Sequence, residues 1–145
     1  MSQMTVSSLK RIAAAKLADM LLASSAAGGE SKLAVVDVRD DDHIGGHIRT
    51  SMHFPTQSLD ATMPTLMRKL ADKDIVVFHC AQSQQRGPSA ALRYLREKEA
   101  RGESLDKQKV YILDGGFIGW QEIYGPDERV TEGYREEIWK DGYWM

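Results

Sequence analysis

Three apolar runs constrain this chain more than any other feature: Leu33 to Val38, Ile75 to Phe78 and Val110 to Leu113. They are short, rich in β-branched residues and almost free of polar ones, the pattern of strands covered on both faces. Between them the apolar spacing lengthens to threes and fours. Ala13 to Ala23, Ser58 to Leu70 (Met63, Leu66, Met67 and Leu70 on one side) and Pro88 to Arg96 read as amphipathic helices, the second interrupted or initiated by Pro64. Strand and helix in alternation predict an α/β domain, a mostly parallel sheet of about five strands flanked by helices. Val6 to Ile12 supplies an entry strand and a short connection, a short strand follows Gly45-Gly46, and Ser24 to Ser31 is a small-residue turn centred on Gly28-Gly29. A chain of 145 residues buries a sizeable core and is too short for two ordinary domains and a linker, so a single domain over 1–145 is expected.

The only cysteine follows the second apolar run, in His79-Cys80-Ala81-Gln82-Ser83-Gln84-Gln85-Arg86. It therefore stands at a strand-to-helix turn. The loop after it has no proline, so each residue from Ala81 to Gln85 can offer a backbone N–H, and inward-turned amides at a helix N-terminus form a nest for an anion. The same surroundings favour the nucleophilic thiolate. Arg86 brings a planar fork that matches two oxygens of a phosphoryl or arsenyl group, Ser83 offers a hydroxyl that can donate to the thiolate or help it leave in a second step, and Gly87-Pro88 suit a tight exit into the first helical turn. A lone cysteine after a strand can equally be a small buried hydrophobe. Cysteine, polar loop, arginine and helix in this spacing favour an oxyanion-binding nucleophile site.

The 19 basic and 21 acidic residues give a net charge of -2, with no excess to attract nucleic acid. A single cysteine excludes an internal disulfide framework and fits a reducing compartment, cytosol or nucleus. No stretch approaches the roughly 18 to 20 apolar residues that span a bilayer. Ile12 to Ala27 follows two basic residues as a leader would, but Lys16 and Asp19 interrupt it, and it is expected to be a helix of the domain. Asp40-Asp41-Asp42-His43 is expected to be a solvated loop rather than a metal site, and His47 a structural residue rather than a base. Glu97 to Lys109 reads as a charged, solvated turn, and Asp114-Gly115-Gly116 as a turn beside the cysteine loop. Phe117, Trp120, Ile123 and Tyr124 form the apolar face of a short helix. Tyr134, Ile138, Trp139, Tyr143 and Trp144 predict a terminal helix packed back on the domain, with a homodimer or protein-substrate contact by the last aromatics as the alternative, and the chain is expected to be a monomer.

Three segments together carry a resemblance. His79-Cys80 to Arg86, Val35-Val36-Asp37-Val38-Arg39 and Gly45-Gly46-His47-Ile48 resemble the rhodanese-fold phosphatases related to the cell-division-cycle dual-specificity enzymes, and Ser83 to Ala91 is similar to their small fungal members. Asp114-Gly115-Gly116-Phe117-Ile118-Gly119-Trp120 matches the same group, so the resemblance runs from about residue 8 to about residue 134. It implies a rhodanese-like three-layer fold. Sulfurtransferases of that fold use a six-residue loop, whereas the phosphatases and related arsenate reductases use seven residues from Cys to Arg, as Cys80 to Arg86 does. The implied activity is a tyrosine or dual-specificity protein phosphatase with a phosphocysteine intermediate, needing neither metal nor cofactor. Cys80 and Arg86 are then catalytic, and Ala81, Gln82, Ser83, Gln84 and Gln85 complete the oxyanion loop. Asp37 and Arg39 are implied to be a scaffold pair more than catalysts, His79 a supporting residue, and the general acid is left open.

Two departures bear on function. The cell-cycle enzymes carry Glu where this chain has Ala81, and they have a second cysteine that this chain lacks. His79-Cys80-Ala81-Gln82-Ser83 also stands as in eukaryotic arsenate reductases of the fold, which implies an alternative activity with glutathione and glutaredoxin as partners and a small oxyanion in place of a phosphorylated protein. A non-catalytic rhodanese-like binding module is the third alternative.

Overall fold

The computed structural model describes residues 4–27 and 31–140. In chain order its elements are β1 (Lys10–Ile12), α1 (Ala14–Ala27), β2 (Leu33–Asp37), β3 (His47–Ile48), β4 (Met52–His53), α2 (Leu59–Leu70), β5 (Ile75–His79), α3 (Arg86–Ala100), β6 (Lys109–Leu113), α4 (Gly116–Tyr124), β7 (Thr131–Glu132) and α5 (Glu136–Lys140). Five strands pair in parallel in the order β1-β6-β5-β2-β4, while β3 and β7 form a separate antiparallel pair. The fold is the expected rhodanese-like three-layer α/β arrangement.

The pleat explains why the central strands are apolar throughout. Ala34, Val36, Val76, Phe78 and Ile112 pack on one face against Leu66 and Leu70 of α2 and Ala91 and Tyr94 of α3. Their neighbours Val35, Val77 and Leu113 point the other way, to Leu17 of α1 and Phe117 and Trp120 of α4. Each such side chain gains about 1.5–3 kcal/mol on leaving water, so two covered faces explain why polar residues are absent from mid-strand. The register sets Asp37 beside His79, and the chain leaves both strands at the same edge. The segments after Asp37, His79 and Leu113 gather there, at the carboxyl ends where α/β folds bind ligands.

Several elements differ from the sequence-based expectation. Val6–Ser8 is a single 3-10 turn, which leaves only Lys10–Ile12 as strand. α1 runs on through Ser24, Ser25 and Ala26, whose small side chains offer a helix no steric obstacle; the expected Gly28-Gly29 turn lies outside the described residues. α2 runs through Pro64, which is exposed, so water can serve the carbonyl that its missing N–H leaves. The charged stretch after Glu97 is not all solvated. α3 continues to Ala100, Lys98 and Gln108 are buried, and Gln108 accepts from Tyr94 Oη at 2.5 Å while donating to the Leu70 and Lys73 carbonyls at 2.8 Å. Ile123 is 65% exposed, and Ile118 takes its place in the core. Trp139 does fold back, its indole N–H donating to the Gly45 carbonyl at 2.9 Å; Tyr143 and Trp144 lie outside the described residues.

Gly116 ties the exit of β6 to the cysteine loop. Its φ of +59° is left-handed, and a Cβ there would stand 2.4 Å from the Ala81 carbonyl oxygen. Gly119, one turn on, has open space around it. Gly116→Ala is therefore expected to destabilise the protein by about 1–3 kcal/mol from backbone strain, before the clash is added. Gly119→Ala should be neutral or stabilising by up to about 1 kcal/mol. Denaturant midpoints of the two variants check the contrast.

Candidate active site

Cys80 follows the last residue of β5 and is 3% exposed. The loop curls over it. Ser83 adopts a left-handed φ of 58°, uncommon for a residue with a side chain, and this turns its backbone N–H onto Cys80 Sγ at 3.1 Å. The sulfur contact is thus from the Ser83 amide and not, as expected, from its hydroxyl. Ser83 Oγ is buried with no hydrogen-bond partner among the described residues.

Two helix N-termini hold the loop. α3 begins at Arg86, and Pro88 falls in its first turn, where a missing N–H costs little. From the other side α4 uses its own unpaired first-turn amides: Phe117 N donates to the Cys80 carbonyl at 3.0 Å and Ile118 N to that of Ala81 at 2.9 Å. The result is an open depression of about 450 Å³ lined by Cys80, Ala81, Gln82, Gln84, Gln85 and Arg86, with Asp42 and Ile118 on its wall. A hollow of about 510 Å³ elsewhere, rimmed by Arg49, Lys69, Lys73 and Arg129, shares no lining residue with the depression that holds Cys80.

The structure overturns the solvated reading of residues 40–43. Arg86 donates to both carboxylate oxygens of Asp42, Nη1 to Oδ1 at 2.8 Å and Nη2 to Oδ2 at 2.5 Å, and reaches Asp40 Oδ2 at 3.3 Å. Hydrogen bonding from Arg86 holds the Asp42 carboxyl below the usual carboxylate range against the effect of its burial. Asp40 also lies below its ordinary value: burial opposes ionisation, and hydrogen bonds from Thr56, Gln57 and Arg86 outweigh it. Only Asp41 of the three is exposed. The available signal was position, because a run directly after a central strand lies at the same sheet edge as the cysteine loop. Among the described residues no group of His, Cys, Asp and Glu is placed to hold a metal.

Asp37, Arg39 and His79 come together beneath the loop, and none lines the depression. Asp37 and Arg39 are both fully buried. Arg39 Nη2 donates to Asp37 Oδ2 at 2.8 Å, its Nε reaches both carboxylate oxygens at 3.1 Å, and its backbone N–H donates to Oδ1. Burial opposes ionisation of Asp37, but attraction from the His79 ring and the Arg39 hydrogen bonds outweigh it and hold the carboxyl well below the usual range. Burial pushes His79 itself down, against the attraction of the Asp37 carboxylate. His43, stacked on His53 at 3.7 Å, is pushed down to about 4, chiefly by burial. His47 bonds Glu132 across the β3–β7 pair at 3.2 Å, a structural position.

Removing one partner of the buried pair leaves the other charge unmet, so Asp37→Asn should destabilise by about 3–5 kcal/mol, read from denaturant melts. The wild type should also lose stability on acidification in two stages. A histidine depressed in the fold binds protons more readily when unfolded, so His43 withdraws stability as pH falls from about 6.5 to about 4. Asp37, depressed in the fold, contributes fully above the ordinary carboxylate range and loses that contribution as pH falls below it. Melting temperature against pH checks both, and His43→Phe should shrink the first stage, to which the depressed His79 also contributes, while leaving the second unchanged.

The rhodanese-like domain family matches residues 16–123 of this chain. The CDC25-like phosphatase YCH1 of Saccharomyces cerevisiae is 40% identical over 116 residues, covering 73% of this chain and 77% of its own. Arsenate reductase 2.1 of rice, Oryza sativa subsp. japonica, is 37% identical over 130 residues, covering 86% and 75%. Among solved structures, a yeast protein tyrosine phosphatase of the rhodanese family superposes with a TM-score of 0.79 at 33% identity, over 94% of this chain and 99% of that one. The chain belongs to the rhodanese-like family, in the branch of CDC25-type phosphatases and arsenate reductases.

Proposed function

We propose that this protein is a cysteine-dependent protein phosphatase, of tyrosine or dual specificity, and that Cys80 and Arg86 carry its chemistry. The observation behind this is the seven-residue loop that sets a backbone amide on Cys80 Sγ and a guanidinium at the rim of an open depression. The Cys80 thiolate attacks phosphorus in line and forms a phosphocysteine. Loop amides and Arg86 hold the equatorial oxygens as charge builds on them, and water then releases phosphate. An open depression suits a phosphorylated side chain on a protein surface. We place the protein in the cytosol or nucleus, working as a monomeric single domain.

A second reading, arsenate reduction, is favoured by the absence of a second cysteine in the chain and by the similarity to the rice reductase. An arseno-cysteine adduct on Cys80 would then need an external thiol, glutathione with glutaredoxin, for the two electrons that take arsenate to arsenite.

Purified wild type and Cys80→Ser, assayed on an aryl phosphate and in parallel on arsenate with glutathione and glutaredoxin, separate these outcomes. We expect phosphate release from the wild type and a loss of at least about a thousandfold in Cys80→Ser, with vanadate still bound. Turnover retained by Cys80→Ser would refute the mechanism, and arsenite formation without phosphate release would put the reductase first.

A further inference from the structure

Arg86 meets two carboxylates, and they are not equivalent. Asp40 has other commitments: it accepts from Thr56 Oγ1 at 2.5 Å and from Gln57 N at 2.9 Å, and it touches Arg86 only at 3.3 Å. Asp42 gives both its oxygens to the guanidinium, its side chain is 34% exposed, and among the described residues it is the one acid lining the depression that holds Cys80. Asp37 cannot reach that space, being fully buried under Arg39.

A phosphoryl group entering the depression brings oxygens that need the same planar fork. The two N–H groups of Arg86 that face Asp42 cannot serve a bidentate carboxylate and a bidentate phosphoryl group together. The geometry points to Asp42 as the proton donor to the leaving group, held on Arg86 until phosphoryl oxygens displace it. This rests on the phosphatase reading above. Loss of Arg86 removes the main influence that keeps Asp42 ionised, and the arriving phosphoryl charge sets a like charge beside it. Its carboxyl gains proton affinity when a proton is needed.

The steps balance as follows. The substrate arrives as its monoanion, and the phosphoryl proton passes to Asp42 as Arg86 turns to the phosphoryl oxygens. A sulfur lone pair of Cys80 forms the S–P bond. The P–O bond to the leaving group breaks with its electron pair on oxygen, and that oxygen takes the Asp42 proton. In the second half, water oxygen bonds to phosphorus, the Asp42 carboxylate takes the water's proton, and the S–P electron pair returns to sulfur. That proton departs with inorganic phosphate, and Arg86 returns to Asp42.

The test uses aryl phosphates whose leaving phenols run from acidic to basic, with wild type, Asp42→Asn, Asp42→Glu and Asp40→Asn, and vanadate affinity measured alongside. Asparagine keeps the acceptor that Asp40 N uses at 2.9 Å but has no proton to give. On the most basic phenol kcat of Asp42→Asn should fall about a hundredfold or more, and on the most acidic far less, while vanadate binds at least as tightly as in wild type. Asp42→Glu, which keeps a proton, and Asp40→Asn should retain the wild-type dependence on the leaving group. A uniform loss across the series, or weakened vanadate binding, would make Asp42 a prop for Arg86 and overturn the assignment. A wild type that releases no phosphate from any member would overturn the phosphatase reading and this assignment with it.

Discussion

Arg39 places a full positive charge where no water reaches, and Asp37 is what makes that tolerable. An isolated buried ion costs several kcal/mol, and a bidentate carboxylate with a further backbone hydrogen bond offsets it. The pair then organises its surroundings. Arg39 Nη2 also donates to the Gly46 carbonyl at 2.9 Å, and the guanidinium lies 4.3 Å over the Phe117 ring. One side chain thus joins the end of β2, the glycine segment before β3 and the start of α4. Phe117 in turn donates its N–H to the Cys80 carbonyl, so the cysteine loop rests on this ion pair without touching it.

The loop itself is held by backbone rather than by side chains. Amides of α4 take its first carbonyls, Gly116 lies against Ala81, and Gly87 packs so closely that a Cβ would be 3.3 Å from Cys80 N. Its exposed side chains, Gln82, Gln84 and Gln85, carry little of that burden. Such a loop can present its amides inward while its outer surface varies.

Much of this was legible in the sequence because it depends on periodicity. Unbroken apolar runs announced a doubly covered parallel sheet, and the interval from Cys80 to Arg86 announced a loop that curls over the sulfur. What escaped depends on pairing between distant segments. Asp40 and Asp42 read as solvated because nothing local shows that Arg86, more than forty positions on, will fold against them. Ser83 was assigned its hydroxyl's chemistry, whereas its left-handed backbone decides what reaches the sulfur. Lys98 and Gln108 sit in a charged stretch, and only the packing of α3 on the strand ends buries them.

The carboxylates around Arg86 also govern how a substrate finds the site. Long-range capture of an anion needs net positive potential at the mouth, and here the only cation lining the depression among the described residues already faces two carboxylates, with Asp41 exposed next to them in the chain. Encounter with an anion is consequently not steered from a distance by the side chains that line the mouth. It proceeds at the slower pace of unsteered association, on the order of 10⁵–10⁶ M⁻¹s⁻¹, and discrimination falls to contacts formed after arrival.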